Sequence, residues 1–122
     1  NSYNKDNETN WVNWDELNQN EDLVTFYKKL IKIRKENSFL NKINEKEIKF
    51  FDIKNRFCLG YYIGDEIIAF INGDNKNSID IPLPKGGWNV LISTNDSMNN
   101  KLREFEDQIT LNPTSGILLF QK

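Results

Sequence analysis

The residues of this chain that could do chemistry are concentrated near its start. Four carboxylates lie there among tyrosine and tryptophan rings, namely Asp6, Glu8, Asp15 and Glu16. Two carboxyl groups can act as general acid and general base when a hydrophobic pocket raises the pKa of one above that of the other. The polar sequence around these four offers no such pocket, so we expect none of them to be catalytic.

Composition excludes several other chemistries. The 122 residues include no histidine, which removes Ser-His-Asp and Cys-His catalysis and imidazole ligands for zinc. The single cysteine, Cys58, lies in an apolar run, where a buried and inert thiol is expected over a reactive one. We predict neither a metal site nor a cofactor.

An acidic loop, Asp74-Asn75-Lys76-Asn77 with Asp80 beyond it, could suggest calcium binding. It lacks the oxygen ligands at alternate positions, the central glycine and the terminal glutamate of the calcium-loop template. A plain hairpin loop is the preferred interpretation.

The charge balance argues against nucleic acid and membrane partners. Sixteen basic and 18 acidic residues give a net charge of −2, which exerts no pull toward phosphate backbones or anionic lipid. The longest apolar runs are far shorter than the roughly 20 residues that a membrane span needs. A lone cysteine is compatible with a reducing compartment, so we favour a cytoplasmic location.

A polar segment and a helix must position the residues near the start. Residues 1–20 lack any sustained period, which predicts a loop with one helical turn near Asp15–Leu17. Residues 21–37 are predicted to form a helix capped by Asn20, with acidic residues at its start and basic residues at its end. Its apolar stripe contains Leu23, Phe26, Tyr27, Leu30, Ile31 and Ile33. A stripe this wide usually faces two neighbours, which predicts an uncovered face and self-association through this helix.

Residues 45–122 read as a mainly β domain. The predicted strands are Glu47–Ile53, Arg56–Ile63, Glu66–Asn72, Ser78–Leu83, Trp88–Ser93, Gln108–Leu111 and Gly116–Gln121. Lys54-Asn55 and Gly64-Asp65 predict tight hairpins, and the run 67–71 predicts a strand covered on both faces. Pro82 marks a strand end or edge, and 95–103 predicts a loop. Short strands at this spacing predict an antiparallel β-sandwich.

The start of the chain also carries a family motif. Asn1-Ser2-Tyr3 is followed by Asp6-Asn7-Glu8, then by Trp11 and Trp14, and then by the helical run 27–35 with Leu30-Ile31 and Arg34-Lys35. This order resembles the end of the catalytic barrel in the isoamylase, glycogen-debranching and type I pullulanase branch of glycoside hydrolase family 13. The sequence departs from that family at Asn37-Ser38, where a proline is common, and this affects only the linker.

The resemblance implies a fold and a function. Residues 1–40 would be the loop and last helix of a (β/α)8 barrel, and residues 45–122 the C-terminal all-β domain of the α-amylase type. The implied whole is a retaining hydrolase of α-1,6 bonds in starch or glycogen, whose catalytic motifs are not found in this chain. We therefore expect a non-catalytic C-terminal fragment, with the upstream catalytic barrel of the same chain and an α-glucan substrate as its partners.

The resemblance further implies contacts with substrate. Tyr3, Asp6 and Asn7 would lie at outer glucan subsites, since carboxylate and amide groups pair with sugar hydroxyls and aromatic rings stack on glucose. The alternative interpretation is that the asparagines cap turns and that Trp11 and Trp14 are packing anchors.

Two other functions stay open at this point. One is an independent carbohydrate-binding module for α-glucans, with Trp88, Tyr61 or Tyr62 as an exposed stacking platform, and the other is a protein-interaction domain. Burial of the rings discriminates, because a sugar platform needs exposed, coplanar aromatic side chains.

Overall fold

The computed structural model describes residues 3–95 and 104–122. Two α-helices precede the strands, Glu16–Gln19 (α1) and Glu21–Glu36 (α2). The strands are Ile48–Phe50 (β1), Cys58–Ile63 (β2), Ile67–Asn72 (β3), Ile79–Pro82 (β4), Trp88–Ser93 (β5), Glu104–Phe105 (β6), Gln108–Leu111 (β7) and Ser115–Gln121 (β8). None of the described helices is long and apolar enough to cross a membrane.

The strands form two antiparallel sheets. The larger has six strands in the order β1-β2-β3-β8-β5-β6, and the smaller pairs β4 with β7. Buried side chains of both sheets meet in one cluster, formed by Ile68, Phe70, Trp88 and Leu119 from the larger sheet and Ile81, Ile109 and Leu111 from the smaller. The fold is therefore mainly β, with an antiparallel sandwich preceded by one long helix, as predicted.

The centre of the core is Phe70, which is completely buried. Its ring lies 5.0 Å from that of Phe51. Its neighbour across the sheet is Gly60, and a Cβ at that position would lie 2.6 Å from the Phe70 ring. Glycine is thus needed at position 60 to leave room for the ring, which would otherwise clash with any side chain.

The outer face of the larger sheet is covered in part by α2. Ile67, Ala69 and Ile92 are buried although they point away from the central cluster, and α2 packs against β5 on this side. The prediction that the run 67–71 is covered on both faces holds as far as Phe70. It is wrong for Ile71, which exposes 46% of its surface because the cover does not reach it.

The two predicted hairpins have longer links than expected. β1 ends at Phe50. The backbone N–H of Phe51 extends the pairing with β2 by one bond, to the Gly60 carbonyl at 2.9 Å. The ring of Phe51 turns inward and stacks on Tyr62, so Lys54-Asn55 lies in a longer loop. Ile63 pairs with Ile67, which leaves a three-residue link in which Gly64 adopts a φ of 64°.

The helical predictions are close to the structure. α2 ends one residue before the predicted limit, and the helical turn near Asp15–Leu17 is α1. Asn20 lies at the start of α2, but its side chain makes no capping bond. Its amide instead donates to the Glu16 carbonyl at 2.9 Å, since the two helices follow each other directly. The strand β6 was not predicted, and most of the predicted loop 95–103 lies outside the described residues.

Candidate functional site

The predicted substrate-binding residues lie in an exposed segment, residues 3–17, which we call the aromatic segment. Tyr3 exposes 86% of its surface, Trp11 61% and Trp14 70%. Large aromatic rings are normally buried in a domain of this size. Both tryptophan rings remain exposed within the described residues, and the interpretation of Trp11 and Trp14 as packing anchors against a further domain stays a prediction.

Asp6 and Asn7 belong to one hydrogen-bonded turn. The indole Nε1–H of Trp11 donates to Oδ1 of Asp6 at 2.6 Å. The side-chain amide of Asn10 donates to Oδ1 of Asn7 at 3.1 Å and to the Lys5 carbonyl at 2.6 Å. A short 3-10 helix, Glu8–Asn10, connects the two pairs. Asp6 and Asn7 are therefore held side by side, because Oδ1 of each side chain accepts a hydrogen bond.

The sequence indicated Trp11 as part of the family motif, but it did not indicate the contact of Trp11 with Asp6. Its ring is exposed, yet its N–H orients a carboxylate five positions earlier. No periodicity connects residues at that spacing in a loop, so only the geometry of the turn identifies the pair.

The second feature is an apolar stripe on α2, formed by Leu23, Tyr27 and Ile31. These side chains expose 52%, 58% and 52% of their surfaces. Residues four apart lie one above the other on a helix, so the three form one continuous flank. Phe26, Leu30 and Ile33, the rest of the predicted stripe, are half-buried. Part of the stripe is therefore uncovered, as the sequence predicts.

An apolar patch also lies on the outer face of the larger sheet, and we call it the sheet patch. Leu59 pairs with Ile71, and Phe50 pairs with Tyr61. Cross-strand partners point to the same face, so the four side chains are contiguous. Phe50 exposes 68% of its surface and Leu59 44%. The patch occupies the same face of the sheet as α2.

A sugar-stacking platform on the β domain is not formed by the rings proposed for it. Trp88 exposes 1% of its surface, and its indole N–H donates to the Pro84 carbonyl at 2.9 Å. The Tyr62 ring stacks on Phe51 at 4.5 Å. The Tyr61 ring is tilted by 54° from that of Phe50. The assignment of Trp88 as an exposed platform is wrong, because that ring completes the core.

The acidic loop after β3 connects the larger sheet to β4 of the smaller sheet. The predicted hairpin is wrong, because β4 pairs with β7 and not with β3. Oδ1 of Asp74 accepts bonds from the backbone N–H groups of Lys76 at 2.8 Å and Asn77 at 3.1 Å, and Oδ2 accepts from the Asn77 side chain at 3.0 Å. Both carboxylate oxygens thus stabilise the turn. Among residues 3–95 and 104–122, no group of three or more cysteine, aspartate or glutamate side chains could hold a metal ion.

This turn should give the protein a pH-dependent contribution to stability. The bond from the Asn77 side chain, and after it that from Lys76 N, lowers the pKa of Asp74 below its ordinary value of 3.8. A carboxyl group whose pKa is lowered by folding stabilises the folded state above its unfolded pKa and loses that effect as pH falls through the folded pKa. We expect the difference in Tm between wild type and Asp74→Ala to be constant from pH 7 to 5 and to shrink below pH 4. A difference that persists at pH 2 would contradict this account.

Cys58 is half-buried on the core side of β2 and forms no disulfide. Burial raises the pKa of its thiol. A raised pKa lowers the population of thiolate, the reactive form. The prediction of an inert thiol agrees with these surroundings.

Comparison with known proteins identifies the fold. No protein-family model matches the chain. The structure of the pullulanase from Anoxybacillus sp. LM18-11 in complex with maltotetraose superimposes with a TM-score of 0.78 and 25% identity over 100% of this chain. The type I pullulanase from Bacillus subtilis str. 168 in complex with maltose matches 92% of the chain with a TM-score of 0.71 and 14% identity. An inactive double mutant of MutB in complex with isomaltulose matches 80% with a TM-score of 0.60 and 20% identity.

These matches cover a small part of much longer proteins. The chain spans 18% of the Anoxybacillus pullulanase, 17% of the Bacillus pullulanase and 17% of MutB. Its fold matches the C-terminal domains of glycoside hydrolase family 13 enzymes.

Proposed function

We propose that this chain is the non-catalytic C-terminal part of an α-glucan-debranching hydrolase, with cleavage of α-1,6 bonds carried out elsewhere in the full-length gene product. The observation that carries the proposal is the match over 100% of the chain to 18% of a pullulanase at 25% identity. The motif at Asp6-Asn7-Glu8, Trp11 and Trp14 supports the same branch, including isoamylase and glycogen-debranching enzyme.

The role of the domain is to cover and stabilise the catalytic barrel. Trp11, Trp14 and the α2 stripe together present more apolar surface than a small domain normally leaves in water. Burying one such side chain contributes roughly 1.5–3 kcal/mol. The occupant we assign to this surface is the preceding catalytic domain, because the same fold in the matched pullulanase is part of a chain more than five times as long.

The sheet patch extends the same contact. It lies on the face of the sheet against which α2 packs. A catalytic domain that covers Leu23, Tyr27 and Ile31 on α2 would also contact Leu59 and Ile71 of the sheet patch. In a chain without this cover, we propose that the α2 stripe drives self-association.

The aromatic segment contributes to substrate binding in this proposal. Asp6 and Asn7 supply polar groups for sugar hydroxyls, and the exposed Tyr3 ring supplies a stacking surface. Loops that follow barrel strands at their C-terminal ends form the active-site cleft of such enzymes, which is where residues 3–17 would lie.

The proposal is tested by kinetics of the full-length gene product on pullulan and amylopectin. We expect Asp6→Ala to lower kcat/KM by about 10- to 100-fold, because a hydrogen bond to a charged group contributes about 1.5–3 kcal/mol. The matched control is Asp65→Ala in the exposed β2–β3 link, whose partner is Lys49 at 3.5 Å and which should leave kcat/KM unchanged. Absence of activity on both glucans, or equal kcat/KM for wild type and Asp6→Ala, would overturn the proposal.

A further inference from the structure

The chain contains a single asparagine that is followed by glycine, Asn72-Gly73, at the end of β3. Asparagine is a thermolabile residue, because the backbone nitrogen of the next residue can attack its side-chain amide. Glycine has no Cβ, so no side chain shields that nitrogen from the amide carbon. In an unfolded chain, Asn72 is therefore the asparagine that loses its amide as ammonia most readily.

The folded chain holds the Asn72 side chain by both of its polar atoms. The residue is buried, with 1% of its surface exposed. Its side-chain NH2 donates to the Asn77 carbonyl at 2.9 Å and the Asn112 carbonyl at 3.0 Å, with a longer contact to the Leu111 carbonyl at 3.4 Å. Its Oδ1 accepts from the Asp74 N–H at 3.0 Å. This one side chain therefore ties the loop after β3 to the turn between β7 and β8.

The nitrogen that would attack is also held. The Gly73 N–H donates to the Phe57 carbonyl at 2.8 Å, and attack requires that this proton be removed. The departing NH2 of Asn72 must be protonated by water, which burial keeps away, and must leave the carbonyls that hold it. The folded structure thus opposes both the attack and the departure, and the reaction requires that these hydrogen bonds first break.

We propose that Asn72-Gly73 is a deamidation site that folding keeps closed and unfolding opens, and that its reaction makes unfolding irreversible. In the unfolded chain, the Gly73 nitrogen gives its proton to solvent base and forms a bond to Cγ of Asn72. The Cγ–Nδ2 bond breaks, and the nitrogen takes a proton from water and leaves as ammonia, which produces a five-membered succinimide ring. Water then opens the ring at either carbonyl and produces aspartate or isoaspartate. Overall, one water is consumed and one ammonia is released, with no oxidation or reduction.

Neither product can restore the folded contacts. An aspartate at position 72 has no hydrogen to give to the carbonyls of Asn77 and Asn112, and its carboxylate would be buried against their oxygens. Burying a charge without a partner costs far more than burying a hydrogen-bonded amide. Isoaspartate instead adds a carbon to the main chain before Gly73, which displaces the N–H bonded to Phe57. A chemical change in the unfolded state that blocks refolding converts reversible unfolding into an irreversible loss.

The first test measures the rate of the reaction across the denaturation transition of the 122-residue chain. The chain is held at mildly alkaline pH in a series of guanidinium chloride concentrations, digested with trypsin, and read by mass spectrometry at the peptide 57–76. Fragment masses separate Asn72 from Asn75, and the replacement of NH2 by OH marks the modified residue. We expect Asn72 to react at least about 100-fold more slowly in the folded chain than in the unfolded one, with a rate that follows the unfolded fraction. Gly73→Ala should slow the reaction in denaturant several-fold, because its methyl group shields the nitrogen.

The second test measures whether the modified chain refolds. Chains left in denaturant until about half of Asn72 has reacted are diluted into buffer, and the refolded and unfolded fractions are separated by size-exclusion chromatography. We expect modified Asn72 to be depleted several-fold in the refolded fraction. Asn72→Asp reproduces one product directly and should lower the guanidinium midpoint strongly or prevent folding. The matched control, Asn75→Asp, places the same charge on an exposed residue of the same loop and should leave the midpoint nearly unchanged.

Three results would overturn the proposal. Equal rates at Asn72 in buffer and in denaturant, or a rate that rises before the chain unfolds, would show that the fold does not close the site. Equal modification of Asn72 in the refolded and unfolded fractions would show that the reaction does not block refolding. An Asn72→Asp variant with the wild-type midpoint would show the same for the aspartate product.

Discussion

Replacing Phe70 by alanine is expected to destabilise the domain by about 3–5 kcal/mol, the range found when a fully buried phenylalanine is truncated. Phe70 is completely buried, and its ring contacts Phe51 and fills the space over Gly60. Truncation leaves a cavity that neither neighbour can fill, because Gly60 has no side chain and Phe51 is held by its stacking on Tyr62. The measurement is urea denaturation of the 122-residue chain followed by far-UV circular dichroism.

The matched control for this prediction is Phe50→Ala. Phe50 exposes 68% of its surface on the edge strand β1, so its truncation should change the free energy of unfolding by no more than about 0.5 kcal/mol. Similar losses for Phe70→Ala and Phe50→Ala would show that the core is not centred where the structure places it. A loss of 3–5 kcal/mol would be a large share of the 5–15 kcal/mol that usually stabilises a domain.

Ile31→Asp is expected to change the stability of the chain alone very little and to destabilise the full-length gene product strongly. Ile31 exposes 52% of its surface in the chain, where an aspartate can remain hydrated, so we expect a change in stability within about 0.5 kcal/mol and reduced self-association. If the proposed catalytic domain covers Ile31, the same carboxylate would lose its hydration there and have no partner. We expect a loss of roughly 3–5 kcal/mol there, measured as the shift in the denaturation midpoint of the full-length product.

Lys28→Asp provides the control for this charge change. Lys28 is exposed on the polar face of α2, so the variant introduces an aspartate into the same helix but away from the stripe. It should destabilise both proteins equally and slightly. If Ile31→Asp and Lys28→Asp have the same effect on the full-length product, the α2 stripe is not a docking surface.

The sandwich could be predicted because its signals are local. The apolar run at 67–71 identifies a strand without knowledge of its partners. The observed bounds of β5 and β7 equal the predicted ones. β6 was missed because two residues are too few to show a period. The link after β1 is longer than predicted. Phe51 packs into the core, and this tertiary contact overrides the turn propensity of Lys54-Asn55.

The sequence could name candidate site residues but could not predict how their side chains are arranged. The family resemblance implied sugar-binding roles for Asp6 and Asn7, and those roles stay a prediction. The bond from Trp11 to Asp6 joins residues five apart in an irregular turn, and its existence depends on the path of the backbone through Glu8–Asn10. The sequence likewise indicated that the helix stripe is wide, but only the packing of α2 against β5 shows which flank is left exposed.

Hydroxyl-radical footprinting read by mass spectrometry tests the central claim most directly, by comparing the 122-residue chain with the full-length gene product. In the chain alone, Trp11 and Trp14 should be oxidised rapidly and the buried Trp88 slowly. In the full-length product, we predict that labelling of Trp11, Trp14 and Tyr27 falls several-fold while that of Trp88 stays low. Equal labelling of Trp11, Trp14 and Tyr27 in the two proteins would contradict the account, because it would mean that no catalytic domain covers those side chains.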